Sequence, residues 1–209
     1  MRLSGLSAMA CVAVLTIACD GRDNTRYDES TGTITDSGSA VGTSGQAARA
    51  AGADAELFAK QAMMASTAEV KLGELAGQRA QSPAVKEFAQ MMVRDHTNGL
   101  NALKQAVKGF NIEEPAQLDP KHQALHDRLG RLSGAEFDRE YMKAMVEGHR
   151  EVKDMVDDRA DQAPVAKGTT GGATDNSPLD TAINQWASKA LPTVSQHLQK
   201  AEQVSRQLK

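Results

Sequence analysis

Five histidines, two cysteines and a scatter of carboxylates carry most of the reactive chemistry in this chain. Three of the histidines interrupt apolar residues that recur at three- and four-residue spacing. His96 is in register with Phe88, Met92, Leu100 and Leu103; His149 with Tyr141, Met142, Met145 and Val152; His197 with Ala190, Val194, Ala201 and Val204. Glu69 does the same among Ala65, Leu72 and Ala76. Burying a polar group without a partner costs on the order of 1 to 3 kcal/mol, so four such interruptions call for a common purpose. Three imidazoles and one carboxylate would suit a single transition metal ion such as Zn, Fe, Mn or Cu. They would equally suit a hydrogen-bonded polar layer that fixes helix register without an ion, Glu69 accepting from a histidine, and that is the leading reading of these residues. Asp95 beside His96, and Asp138 and Tyr141 on the face that leads to His149, are candidates to orient the imidazoles from behind.

The elements that must position these residues are helices. Leu57, Phe58, Ala65, Ala68, Leu72, Leu75 and Ala76 give a first amphipathic stripe between Asp54 and Ala80. Ser82-Pro83 is a start signal, serine as N-cap and proline at the first helical position, and a second stripe runs from Val85 to Val107 before Gly109. Residues 110–132 read as a connector holding a short helix that opens at Asp119-Pro120 and carries Leu125, Leu129 and Leu132. Ser133-Gly134-Ala135-Glu136 has the capping-box form, followed by Phe137, Tyr141, Met145, Val152 and Val156 up to Ala163-Pro164. After a flexible loop over 165–176, Ser177-Pro178 repeats the serine-proline start, and the last helix is expected to bend at Pro192. Counting at about 1.5 Å per residue from the Gln81-Ser82 turn sets Glu69 and His96 at one height, with His197 about a turn off the layer. Stripes of this kind are buried only against one another, which predicts an all-α four-helix bundle with a short connector helix between its second and third helices.

Composition agrees. The 209 residues include only 3% aromatics against 40% hydrophobics, so the core is small and aliphatic, unlike that of a β-sandwich. A net charge of −3 gives no basic footprint for nucleic acid. No dinucleotide fingerprint, phosphate loop, G-x-S-x-G elbow or H-E-x-x-H is present. The methionines at helical spacing read as core filler, and His122 and His126, one turn apart, as an incidental surface pair. At the N-terminus, Arg2 precedes an apolar stretch from Leu6 to Ala18, the length of a signal-peptide core, so residues 1–18 read as a leader. Leu15-Thr16-Ile17-Ala18-Cys19 resembles the bacterial lipobox, which implies cleavage before Cys19 and lipidation of its thiol, and hence a membrane as partner. Residues 19–53, rich in Gly, Ser, Thr and Asp, read as a flexible tether and residues 54–209 as the bundle.

Several segments together resemble the bacterial secreted proteins grouped as domain of unknown function 4142, "predicted outer membrane protein", with a ferritin-like bundle. They are Ala68-Glu69-Val70-Lys71-Leu72-Gly73, Val85-Lys86-Glu87-Phe88-Ala89, Asp95-His96, Leu132-Ser133-Gly134 with Phe137-Asp138 and Tyr141 leading to His149, and Leu191-Pro192 ahead of His197-Leu198. The resemblance covers roughly residues 55–208 and implies the fold and an envelope location, but no reaction. It does not bring the di-iron site of ferritin-like enzymes: that site needs E-x-x-H pairs, and Val93, Val146 and Val194 stand three residues before the histidines. The expected function is therefore a lipid-anchored helical-bundle protein on the periplasmic side of the cell envelope, non-enzymatic, with a structural, stress or interaction role and an envelope protein as partner. The alternative is a metal-binding ferritin-like protein using Glu69, His96, His149 and His197 for storage, sensing or redox chemistry.

Overall fold

The computed structural model describes residues 41–163 and 177–208, and among them every regular element is a helix. The leader, Cys19, the tether up to residue 40 and the loop expected over 165–176 lie outside the described residues. The helices are α1 (Val41–Arg79), α2 (Pro83–Ala106), α3 (Pro120–Gly130), α4 (Gly134–Ala160) and α5 (Pro178–Gln207). None is long and apolar enough to cross a membrane.

Helix α1 begins well ahead of the expected start at Asp54, so the last part of the expected tether, from Val41, is helical. The Ala-rich run from Gln46 onward has high intrinsic helix propensity and extends an existing helix, which avoids the cost of nucleation. It lacks an apolar stripe, which is why periodicity did not mark it.

The helix starts are held in different ways. Ser177 caps α5 reciprocally with Asp180: its Oγ accepts from the Asp180 backbone N–H (3.1 Å) and donates to the Asp180 carboxylate (2.6 Å). Ser82 occupies the N-cap position of α2, yet its hydroxyl makes no capping bond, and neither does that of Ser133 before α4. The turn before α2 is instead held from another helix. Both oxygens of the buried Asp138 carboxylate accept backbone N–H groups, from Gln81 at 3.0 Å and Ser82 at 2.8 Å. Gly109 at φ +99 and Asn111 at φ +54, both in the left-handed region, turn the chain out of α2. At the other end, α5 runs through Pro192 without interruption.

The order of contacts gives the topology. Helices α1 and α2 pair as a hairpin, α4 and α5 pair likewise, and α2 and α5 also pack together. Between the hairpins the chain returns through α3, so that α4 starts near the end from which α2 starts. Gly73 sets the α1–α2 spacing: a Cβ there would lie 2.8 Å from Val93 Cγ2 and 3.0 Å from the Ala89 carbonyl oxygen.

Two apolar clusters form the core. One gathers Leu72, Val85, Phe88, Met92, Leu129, Phe137, Tyr141, Met145 and Val204; the other gathers Phe58, Met63, Leu103, Val156, Ile183 and Ala187. Between them in every long helix falls a polar residue: Glu69, His96, His149 or His197. At the second cluster's end, the mostly buried Arg159–Asp180 ion pair (3.1 Å) joins α4 to α5, and the Arg159 guanidinium lies 5.3 Å from the Phe58 ring centre.

Candidate metal centre

His96 from α2, His149 from α4 and His197 from α5 meet between the two clusters. Their ring centres form a near-equilateral triangle with sides of 5.7, 5.5 and 5.3 Å. One nitrogen from each ring lies within 4.8 Å of the other two. Three imidazoles bound at about 2.1 Å to one ion at tetrahedral angles have nitrogens about 3.4 Å and ring centres about 5 Å apart. The observed ring centres are spaced close to that arrangement.

Hydrogen bonds decide which nitrogens face the centre. His149 Nδ1–H donates to the Met145 carbonyl one turn earlier, at 2.9 Å, which leaves its Nε2 as the lone-pair nitrogen. His197 Nε2–H donates to Asp95 Oδ2 at 3.1 Å, which leaves Nδ1. The unengaged nitrogens, His96 Nε2, His149 Nε2 and His197 Nδ1, are all buried and have no hydrogen-bond partner among the described residues. His149 and His197 are 1% and 2% exposed, so these lone pairs do not turn to bulk solvent. Burial, reinforced by the neighbouring rings His149 and His197, holds His96 well below the usual imidazole range. Burial also lowers His197, against the upward pull of its Asp95 hydrogen bond. Neutral imidazoles are the form that binds metal.

Asp95, read from the sequence as a partner beside His96, instead accepts from His197 on the facing helix. It is pinned in turn by Arg94, whose Nε and Nη2 donate to it at 2.8 and 3.3 Å. Burial works to raise the Asp95 carboxyl, but the hydrogen bonds from Arg94 and His197 outweigh it and keep the group below the usual carboxylate range.

The other expected members fall elsewhere. Glu69 is buried and borders the same cavity, yet it does not join the three-histidine cluster. Its Oε1 lies 3.9 Å from His149 Nδ1, beyond hydrogen-bond length. The expected bond from a histidine to Glu69 is absent because that N–H is already taken by the Met145 carbonyl. Burial pushes the Glu69 carboxyl up, against the opposing pull of His149 and His122, and Oε2 has no partner. Tyr141 stacks on Phe137 in the first apolar cluster with its hydroxyl unpartnered, and burial, with Glu69 nearby, raises it well above the usual phenol range. Asp138, read as an orienting partner for His149, is instead the double acceptor at the start of α2. The buried methionines Met63, Met92, Met142 and Met145 are core filler. His122 is taken up by Asp119, whose carboxylate caps α3 and lies 2.7 Å from His122 Nδ1.

Hydropathy periodicity gave no sign of the space beside the histidines. A cavity of about 430 Å³ opens between α2 and α5 and reaches Glu69 and all three rings; Trp186 stands in its wall, its indole N–H donating to the Gly99 carbonyl at 3.3 Å.

Comparison with curated proteins and with solved structures gave no match. A family described as a domain of unknown function (DUF4142) matches residues 40–167. The matched span carries α1 to α4, with Glu69, Asp95, His96 and His149, and stops before α5 and the landmarks Leu191-Pro192 and His197-Leu198. Since the match takes in more than half of its length, the chain belongs to the DUF4142 family.

Proposed function

We propose that this protein binds a single transition metal ion through His96 Nε2, His149 Nε2 and His197 Nδ1, with a further coordination position facing the cavity. The observation that carries the reading is three buried ring nitrogens without partners among the described residues, on three rings that each offer a nitrogen within 4.8 Å of the other two. A purely structural polar layer would pair its members, because each unsatisfied buried group costs on the order of 1 to 3 kcal/mol. Here the two tautomers fixed by Met145 and Asp95 leave their free lone pairs without partners. Imidazole donors suit Zn, Cu or Fe, and three protein ligands with one open position are the pattern of metal sites that exchange a ligand rather than merely brace a fold.

In this reading the host is a ferritin-like four-helix bundle, supported by two helical hairpins joined through a long return connection containing α3. It lies at the bacterial cell envelope, anchored through lipidated Cys19, a placement supported by the apolar leader and the Leu15–Cys19 pattern.

The test is metal retention. Purified protein is exposed to a panel of first-row divalent metals, dialysed, and the retained metal counted by mass spectrometry, alongside His149→Gln. About one equivalent in the wild type and a large loss in the variant is expected. No retained metal from any member of the panel would return the histidines to a structural role.

A further inference from the structure

The cavity beside the histidines has a chemistry of its own, and the argument here rests on the metal reading above. Its inner end is the three imidazoles, and its walls include Ala62, Ala65, Val152, Met155, Trp186 and Val194. At roughly 30 Å³ each, the share of one water molecule in the liquid, about 430 Å³ admits on the order of a dozen non-hydrogen atoms. Apolar walls with a few convergent polar groups at one end are the form of a small-molecule site.

Charge narrows the occupant. A divalent ion on three neutral imidazoles keeps both of its positive charges, and the donor cluster contains no carboxylate. Of the two acidic groups that border the cavity, Asp95 is engaged by Arg94 and His197, and Glu69 stands outside ligand distance. In surroundings of low polarity such an ion favours an anionic fourth ligand. At the mouth, where exposed residues of α2 and α5 face solvent, stands Lys189, which makes no ion pair among the described residues. A cation at the rim draws anions toward the opening.

We propose that the cavity takes a small carboxylate with an apolar body, the carboxylate completing the coordination of the ion and the body packing against Val152, Met155, Trp186 and Val194. Binding exchanges the ion's solvent ligand for a carboxylate oxygen, with no bond broken in the organic molecule.

The probe is a series of straight-chain carboxylates from acetate to octanoate, titrated into the full-length protein loaded with Co(II), whose visible spectrum reports the coordination sphere. Alcohols of matching length serve as neutral controls, and retained cobalt is counted in every sample. Carboxylates are expected to perturb the spectrum with affinity rising about fourfold per buried methylene, while the alcohols leave it unchanged. Ala65→Phe, which fills the cavity, is expected to cancel the gain from chain length while keeping the cobalt. Lys189→Gln, at an exposed position, is expected to weaken all carboxylates by a common factor of two or more. Stoichiometric cobalt with affinity independent of chain length, or equal responses to alcohols, would overturn this proposal and leave the metal reading standing. Absence from the wild type of cobalt and of every other metal in the panel would overturn both.

Discussion

Replacing Asp95 by alanine separates an organised metal site from a chance gathering of histidines. Asp95 Oδ2 accepts the Nε2–H of His197 at 3.1 Å, and that bond directs the Nδ1 lone pair of a ring only 2% exposed toward His96 and His149. Without the carboxylate, the ring is free to rotate and to carry its proton on either nitrogen. Loss of such an orienting partner typically costs 10- to 100-fold in metal affinity, about 1.4 to 2.7 kcal/mol. The metal-free protein also leaves one buried N–H unsatisfied, worth on the order of 1 to 3 kcal/mol of stability. The lost contact with Arg94 adds little, because that guanidinium is 64% exposed. Asp95→Asn retains an oxygen at the same place, so it is expected to unfold close to wild type and to lose less than about tenfold in affinity. Chelator competition with zinc gives the affinities, and urea unfolding of the metal-free proteins gives the stabilities. If Asp95→Ala binds zinc within twofold of wild type while His197→Gln does not bind, Asp95 plays no orienting role. If the Asn and Ala variants are equally impaired, charge rather than tautomer is what matters.

Glu69→Gln is expected to retain the metal, since the carboxylate stands outside the cluster, and a proportionate loss in metal counting would restore Glu69 as a ligand. Because burial raises the Glu69 carboxyl, the folded state binds its proton more tightly than the unfolded chain. Its contribution is thus fully present below about pH 4.5 and declines as pH rises through the folded value. Urea titrations at several pH values should therefore show Glu69→Gln gaining on wild type as pH rises toward 8. Asp138→Ala removes two charge-assisted bonds at the start of α2 and is expected to cost about 3 kcal/mol with the metal affinity per folded molecule intact; a loss under 1 kcal/mol in the same assay would contradict that role. Gly73→Ala puts a methyl group 3.0 Å from a backbone oxygen, and the overpacking exceeds the gain in helix propensity, for a net loss of about 1 kcal/mol in thermal or urea unfolding.

Periodicity located the histidines because a polar residue inside an apolar stripe is visible without coordinates. It placed His96, His149 and His197 on inward faces, and their rings do meet. It could not fix heights. His197 was expected about a turn off the layer, yet its ring centre is 5.3 Å from that of His96. Asp138 was taken for a partner of His149 because both lie on similar faces of α4, but a shared face says nothing of what the neighbouring helix offers at that level, which is the pair of free N–H groups at Gln81 and Ser82. Glu69 was assigned a histidine partner by the same reasoning. A backbone carbonyl one turn away on α4 competes better for that proton, and carbonyls are invisible to side-chain patterning. The serine-proline starts gave the positions of α2 and α5 correctly, whereas Ser82 itself makes no capping bond. The cavity was illegible altogether, since it depends on which small residues from four helices end up opposite one another.

The layer of Glu69, His96, His149 and His197 also divides the energetics of the domain. Apolar contacts couple residues within the cluster around Phe88 and Tyr141, and separately within the cluster around Phe58 and Ile183. Across the waist between them, coupling passes mainly through helix backbones and through single links such as His197–Asp95. A chain built this way tends to open by halves, with each half a unit of local unfolding that amide exchange can resolve. The end around Ile183, adjoining the long connection between α4 and α5, is the half with fewer large buried side chains. An ion at the waist, drawing on α2, α4 and α5 together, would merge the halves into one cooperative unit, so that occupancy of a single site is registered along the whole length of the helices.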